Sequence, residues 1–84
     1  MGLSDRLAAR AVASSHVLLV EVPGSWRTRY AVERAIGARG WRLAESPADA
    51  DALVVVGAPG DQLAEVIDRV WAQLPGPRAR GAIT

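Results

Sequence analysis

Two unbroken apolar runs, Val17-Leu18-Leu19-Val20 and Leu53-Val54-Val55-Val56, dominate the hydrophobic pattern of the chain. Each is four residues long, and each is closed by turn residues: Pro23 and Gly24 after the first, Gly57 and Pro59 after the second. A continuous run of this kind, rather than an alternation, marks a strand covered on both faces, as in a parallel sheet. Helical periodicity follows the second run. Leu63, Val66, Ile67, Val70 and Leu74 recur at three- and four-residue intervals, and Gln62, Glu65, Asp68, Arg69 and Gln73 take the opposite face. Asp61 is placed to cap this helix. Pro75 and Pro77 cannot continue it, so it ends near Leu74. After the first run the turn Val22-Pro23-Gly24-Ser25 leads into a helix expected over residues 26–38, burying Ala31, Val32, Ala35 and Ile36. Gly37 or Gly40 ends that helix, because glycine takes the left-handed cap conformation at little cost.

The remaining segments carry weaker patterns. Residues 2–15 suggest a modest helix with Ser4 as N-cap and Leu3, Leu7, Ala11 and Val12 on one face. Residues 41–44 read as a short strand, and only about seven residues separate them from the run at Leu53. A parallel crossover usually needs a dozen or more, so this piece is either an edge strand or an extended loop. Residues 79–84 form the last strand. The succession strand, helix, short strand, strand, helix, strand predicts a small three-layer α/β domain of flavodoxin-like or Rossmann-like type. Its sheet is mostly parallel with three or four strands, and a helix is added at the N-terminus. The organisation expected is an N-terminal arm over residues 1–15 and one α/β domain over residues 16–84.

Composition narrows the functional classes. A chain of 84 residues buries only about 60% of its unfolded surface, so its stability is expected to be marginal without a partner. There is no Phe, and Trp26, Trp41 and Trp71 are the bulky pieces in a chain dominated by small apolar residues. The formal net charge of +1 argues neither for a nucleic-acid surface nor for an acidic tail. Without cysteine the chain can form no disulfide, thiolate metal site or cysteine nucleophile. No run of 18 apolar residues is present to span a membrane. Asp5, Arg6 and Arg10 interrupt any signal-peptide layout, so the cytoplasm is the expected compartment.

Candidate chemistry gathers at two turns. Ser25, Trp26, Arg27, Thr28 and Arg29 fall at a helix N-terminus, at the carboxyl end of the first strand, where α/β sheets bind ligands and free N–H groups attract anions. An ordinary capped helix with solvated arginines is the preferred account of them, since no glycine-rich phosphate-binding pattern is present. Gly57, Ala58, Pro59 and Gly60 lie across the same crevice in such a fold, and a tight strand-to-helix turn needs these residues for geometry alone. His16 stands without acidic or cysteine neighbours and is assigned a structural or solvated place. Asp49 and Asp51 are assigned turn and capping duty. Trp26 and Trp71 either mark an interface or complete the packing. No catalytic residue and no metal ligand is assigned.

The stretch from Ser46 to Arg78 resembles the small iron–sulfur subunit shared by respiratory NADH:quinone oxidoreductase (complex I) and the membrane-bound [NiFe] hydrogenases. That family carries a pattern close to S-P-x-x-A-D-x-x-x-V-x-G, then a helix, then P-x-P-[KR]. The matching residues are Ser46, Pro47, Ala50, Asp51, Val55 and Gly57, then Pro75, Pro77 and Arg78. The likeness covers about 33 residues and extends more weakly back to His16. In the family, the first strand leads into a Cys-x-x-Cys motif that supplies ligands to a [4Fe–4S] cluster. Laid over this chain, those positions are Ser25 and Thr28, and hydroxyls are poor ligands for soft iron–sulfur iron. The family's later cysteines would fall beyond Thr84. The resemblance therefore implies a scaffold without its redox centre and with no cofactor. It would be a non-catalytic accessory or vestigial homologue, acting by protein–protein contact in an oxidoreductase assembly. Its partner would be of the oxidoreductase or hydrogenase large-subunit type, met through the loops at residues 25–29 and 58–60, and its place cytoplasmic or peripheral to a membrane complex. Two alternatives stay open: a small phosphate- or nucleotide-binding α/β module using the turn at residues 25–29, and the front part of a longer electron-transfer subunit.

Overall fold

The structure, a computed structural model, describes residues 15–84. The helix expected over residues 2–15 lies outside the described residues except for Ser15. From there the chain forms β1 (His16–Glu21), α1 (Trp26–Ala38), β2 (Arg42–Leu43), a 3-10 turn (Pro47–Asp49), β3 (Ala52–Val56), α2 (Asp61–Gln73) and β4 (Ala79–Ile83). The four strands make one all-parallel sheet in the order β2-β1-β3-β4. This is an α/β fold, and its strand order follows the flavodoxin-like pattern.

The two apolar runs occupy the two central strands. Along β3, Ala52, Val54 and Val56 point to one face, where they pack with Val17, Ile36 and Val32. Leu53 and Val55 point to the other and pack with Ile67, Leu74, Leu63 and Val70. Successive side chains of a strand alternate between faces, so β3 is buried over its whole length between α1 on one side and α2 on the other. That is why its sequence shows no polar alternation.

Residues 42–43 form an edge strand, and its extreme shortness resolves the question of its connection. Leu43 and Ala52 both pair with Val17, so β2 ends level with the point where β3 begins. The intervening chain makes no return along the sheet. It crosses beneath β1 over two strand spacings, on the order of 10 Å, which residues 44–51 span with the 3-10 turn included.

Three expectations are corrected. Ala31 and Ala35 of α1 are exposed, and only Val32 and Ile36 turn toward the sheet. Asp61 is the first residue of α2 and makes no capping hydrogen bond; Gly60 is the N-cap. Asp61 still places a carboxylate in the first turn, favourably for the helix dipole. Val66, on the expected apolar stripe, is 42% exposed and sits at its margin. At the end of α1, Gly40 rather than Gly37 adopts positive φ. The Gly40 N–H bonds the Gly37 carbonyl and the Trp41 N–H reaches the Ile36 carbonyl at 3.1 Å. This is a Schellman arrangement, and Trp41 packs against the cluster that contains Ile36. Among the described residues no helix is long and apolar enough to cross a membrane.

Because Leu53 is fully buried and Val66 is not, truncation separates them. Leu53→Ala is expected to lower unfolding free energy by about 2–5 kcal/mol. Val66→Gln should change it by about 0.5 kcal/mol or less. Urea unfolding of the two variants checks both.

Candidate functional site

After β1 the chain moves to β2 on one side; after β3 it moves to β4 on the other. The carboxyl ends of β1 and β3 are therefore the topological switch point, the usual ligand crevice of an open α/β sheet. Ser25, Trp26, Arg27, Thr28 and Arg29 border it from the β1–α1 side, and Ala58, Pro59 and Gly60 from the β3–α2 side. The two loops are in direct contact. Gly57 has φ +105°, and a Cβ at this position would overlap Ser25 Oγ and come within 2.7 Å of Val22 Cβ. Glycine is required there twice over, by backbone angle and by close approach. The Val22 N–H bonds the Val56 carbonyl at 2.9 Å, and the Gly57 N–H bonds the Ile83 carbonyl at 2.7 Å, tying both turns to neighbouring strands.

Both helices begin here without side-chain caps. The first main-chain bonds run from Arg29 N–H to the Ser25 carbonyl and from Ala64 N–H to the Gly60 carbonyl, so the N–H groups of each first turn have no intrahelical partner. The arginines beside them do not complete an anion site. Arg29 is held by Glu21 at 3.4 Å and by Glu33, one helical turn on, at 3.2 Å. Arg27 lies over the ring of Trp26, 5.2 Å from its centroid. Trp26 itself is 62% exposed. Of the two tryptophans considered for an interface, Trp26 stands in solvent, whereas Trp71 packs into the core under Arg78, whose guanidinium lies 4.2 Å from its ring.

The hydroxyls of Ser25 and Thr28 occupy the first turn of α1 at the positions where the resemblance would require thiolates. Ser25 Oγ is turned against Gly57. With no cysteine in the sequence, the donor set does not fit an iron–sulfur cluster. Among the described residues no three His, Asp or Glu side chains come together as a metal site. His16 and Asp51 instead fasten the amino edge of the sheet. The His16 N–H donates to Asp51 Oδ2 at 2.9 Å, and the Asp51 N–H donates to the His16 carbonyl at 2.8 Å. Asp49 Oδ1 lies 3.7 Å from His16 Nδ1.

Two features escaped the sequence pattern. One is a pocket of about 270 Å³ between α2 and β4, lined by Val55, Pro59, Ala64, Ile67, Gly81, Ala82 and Arg80. Its one charged group, Arg80, is paired with Asp68 at 3.0 Å, so it lacks the convergent polar groups of a small-molecule site. The other is the line Trp26, Tyr30 and Arg34 along α1, for which the four-residue spacing was the available signal. No protein-family model matches the chain, and no curated protein matches it.

The contact between the two loops sets a test. Gly57→Ala is expected to destabilise the protein by at least about 1–3 kcal/mol, through strain at positive φ and displacement of Ser25 and Val22. Gly60→Ala, with negative φ and open space around it, should stay within about 1 kcal/mol of the parent. Thermal and urea unfolding of both variants discriminate.

Proposed function

We propose that this chain is a cysteine-less relative of the small iron–sulfur subunit of complex I and [NiFe] hydrogenases, acting without catalysis by contact with a protein of an oxidoreductase assembly. One observation carries the reading. The switch point presents two touching loops and an exposed tryptophan, and among the described residues no three His, Asp or Glu side chains gather there as a metal site. Support also comes from the likeness spanning Ser46 to Arg78, whose signature residues fall in the 3-10 turn, β3 and the turns that flank β3 and α2. The partner-facing loops are then Ser25 to Arg29 and Ala58 to Gly60. The phosphate-binding alternative is the weaker one, because Arg29 is already neutralised by two carboxylates.

Affinity capture of the full chain from its native source, with identification of bound proteins and an assay of iron and acid-labile sulfide, tests the proposal. The expected outcome is recovery of an oxidoreductase or hydrogenase large-subunit protein together with iron at background. Recovery with no oxidoreductase subunit, or a stoichiometric iron–sulfur centre on the chain alone, would sink it.

A further inference from the structure

The solvent face of α1 carries an arrangement that neither packing nor capping uses. Trp26, Tyr30 and Arg34 follow one another at four-residue intervals, which places them along one side of the helix over about 12 Å. Trp26 is 62% and Tyr30 59% exposed. Each ring is covered by a guanidinium from its own helix: Arg27 over Trp26 at 5.2 Å and Arg34 over Tyr30 at 6.0 Å. Neither of these arginines forms an ion pair among the described residues, in contrast to Arg29 on the same helix. Beyond the helix, Arg39 lies over Trp41 at 5.6 Å and Arg42 is exposed on β2. Residues 26–42 hold five arginines and a single carboxylate, Glu33, which Arg29 already occupies.

We infer that this ridge is a docking surface for an acidic protein segment, one that presents carboxylates to Arg27 and Arg34 and apolar side chains to Trp26 and Tyr30. The inference rests on the proposed protein-contact function and names the chemistry of the partner. Charge complementarity selects the occupant, since the ridge holds unpaired cations and no free anion. Tryptophan, tyrosine and arginine are also the residues that dominate binding energy at protein interfaces. A guanidinium already stacked on a ring has lost part of its rotamer freedom, so less is lost when it takes a carboxylate in a two-pronged hydrogen bond. Nucleic acid fits less well. The exposed rings are capped by the protein's own cations rather than open for bases.

The test uses the purified full chain and three labelled probes. These are a synthetic peptide alternating Glu or Asp with Leu, the same peptide with Gln and Asn in place of the acids, and a single-stranded oligouridylate. Fluorescence anisotropy of the labelled probe reports binding. The acidic peptide is expected to bind with an affinity that falls as salt is raised, and the neutral peptide to bind at least tenfold more weakly. The double variant Arg27→Glu/Arg34→Glu and the double variant Trp26→Ala/Tyr30→Ala should each weaken acidic-peptide binding at least tenfold. Arg69→Glu on α2 should change it less than twofold. All these side chains face solvent, so circular dichroism should show the parent fold in each variant. Equal binding by parent and ridge variants overturns the inference, as does preferential binding of the oligouridylate through the same residues. These measurements involve no oxidoreductase. An oxidoreductase-free capture would therefore remove the assembly proposed above and leave this surface standing, and a failed peptide assay would do the reverse.

Discussion

Everything in this fold depends on β3 being enclosed on all sides. Its five residues are buried on both faces, and it pairs with β1 along one edge and β4 along the other. A strand so placed has no water available to its backbone, so each N–H and C=O must find a partner in the sheet. The sequence can supply this only because Ala52-Leu53-Val54-Val55-Val56 is free of polar groups and of bulky rings. Small side chains let the two helices be carried by a thin core, and they leave the tryptophans outside the centre of the sheet. Enclosing β3 also fixes where the connections diverge. Its carboxyl end, together with that of β1, is that place, and main-chain N–H groups face outward there.

The two ends of β3 are held by different means. At the amino end, Asp51 bonds to His16 through both its carboxylate and its N–H, and its carbonyl accepts from the Ala79 N–H. One residue thus aligns β1, β3 and β4. At the carboxyl end, Gly57 allows the β1 and β3 loops to touch. Further on, Arg78 donates to the carbonyls of Trp71 and Leu74 and so closes the last turn of α2, which the prolines interrupt. Asp51, Gly57 and Arg78 all belong to the signature on which the family likeness rests. Their duties here are those of a strand–helix–strand unit. The fold thus accounts for these three residues by itself.

Those elements whose hydrophobic pattern has only one structural solution were legible in advance. The two short apolar runs closed by Gly and Pro read as buried strands, and the bounds of α1 follow from Ser25 at one end and Gly40 at the other. Ala31 and Ala35 were not legible, because alanine satisfies either side of a helix. The choice fell to Val32 and Ile36, which set the rotation of α1 on the sheet. The place of β2 depended on a register relation with Val17 that no local pattern records. At the candidate site the positions were legible from the strand-to-helix turns. The neutralisation of Arg29 was only half so: Glu33 lies at a visible i+4 spacing, but Glu21 reaches it from β1. The pocket beside β4 arises from small residues at a sheet edge, which leave no periodic trace.

The aromatic residues divide into two groups, and the division separates packing from recognition. All four rings carry an arginine, and the basic residues of the chain are arginines throughout. Trp41 and Trp71 are half-buried against the two cores. Their guanidiniums complete a cover whose inner side is already made of protein. Trp26 and Tyr30 take no part in either core and expose most of their surface. For them the stacked arginine shields one side of the ring and leaves the remainder in water. Exposing two large rings on one helix costs solubility and gains no stability from burial. A chain that encloses β3 with alanine and valine has no packing need for rings at these positions. The exposed pair is thus the part of α1 that the requirements of the fold do not explain, and it begins at the switch point where the two loops meet.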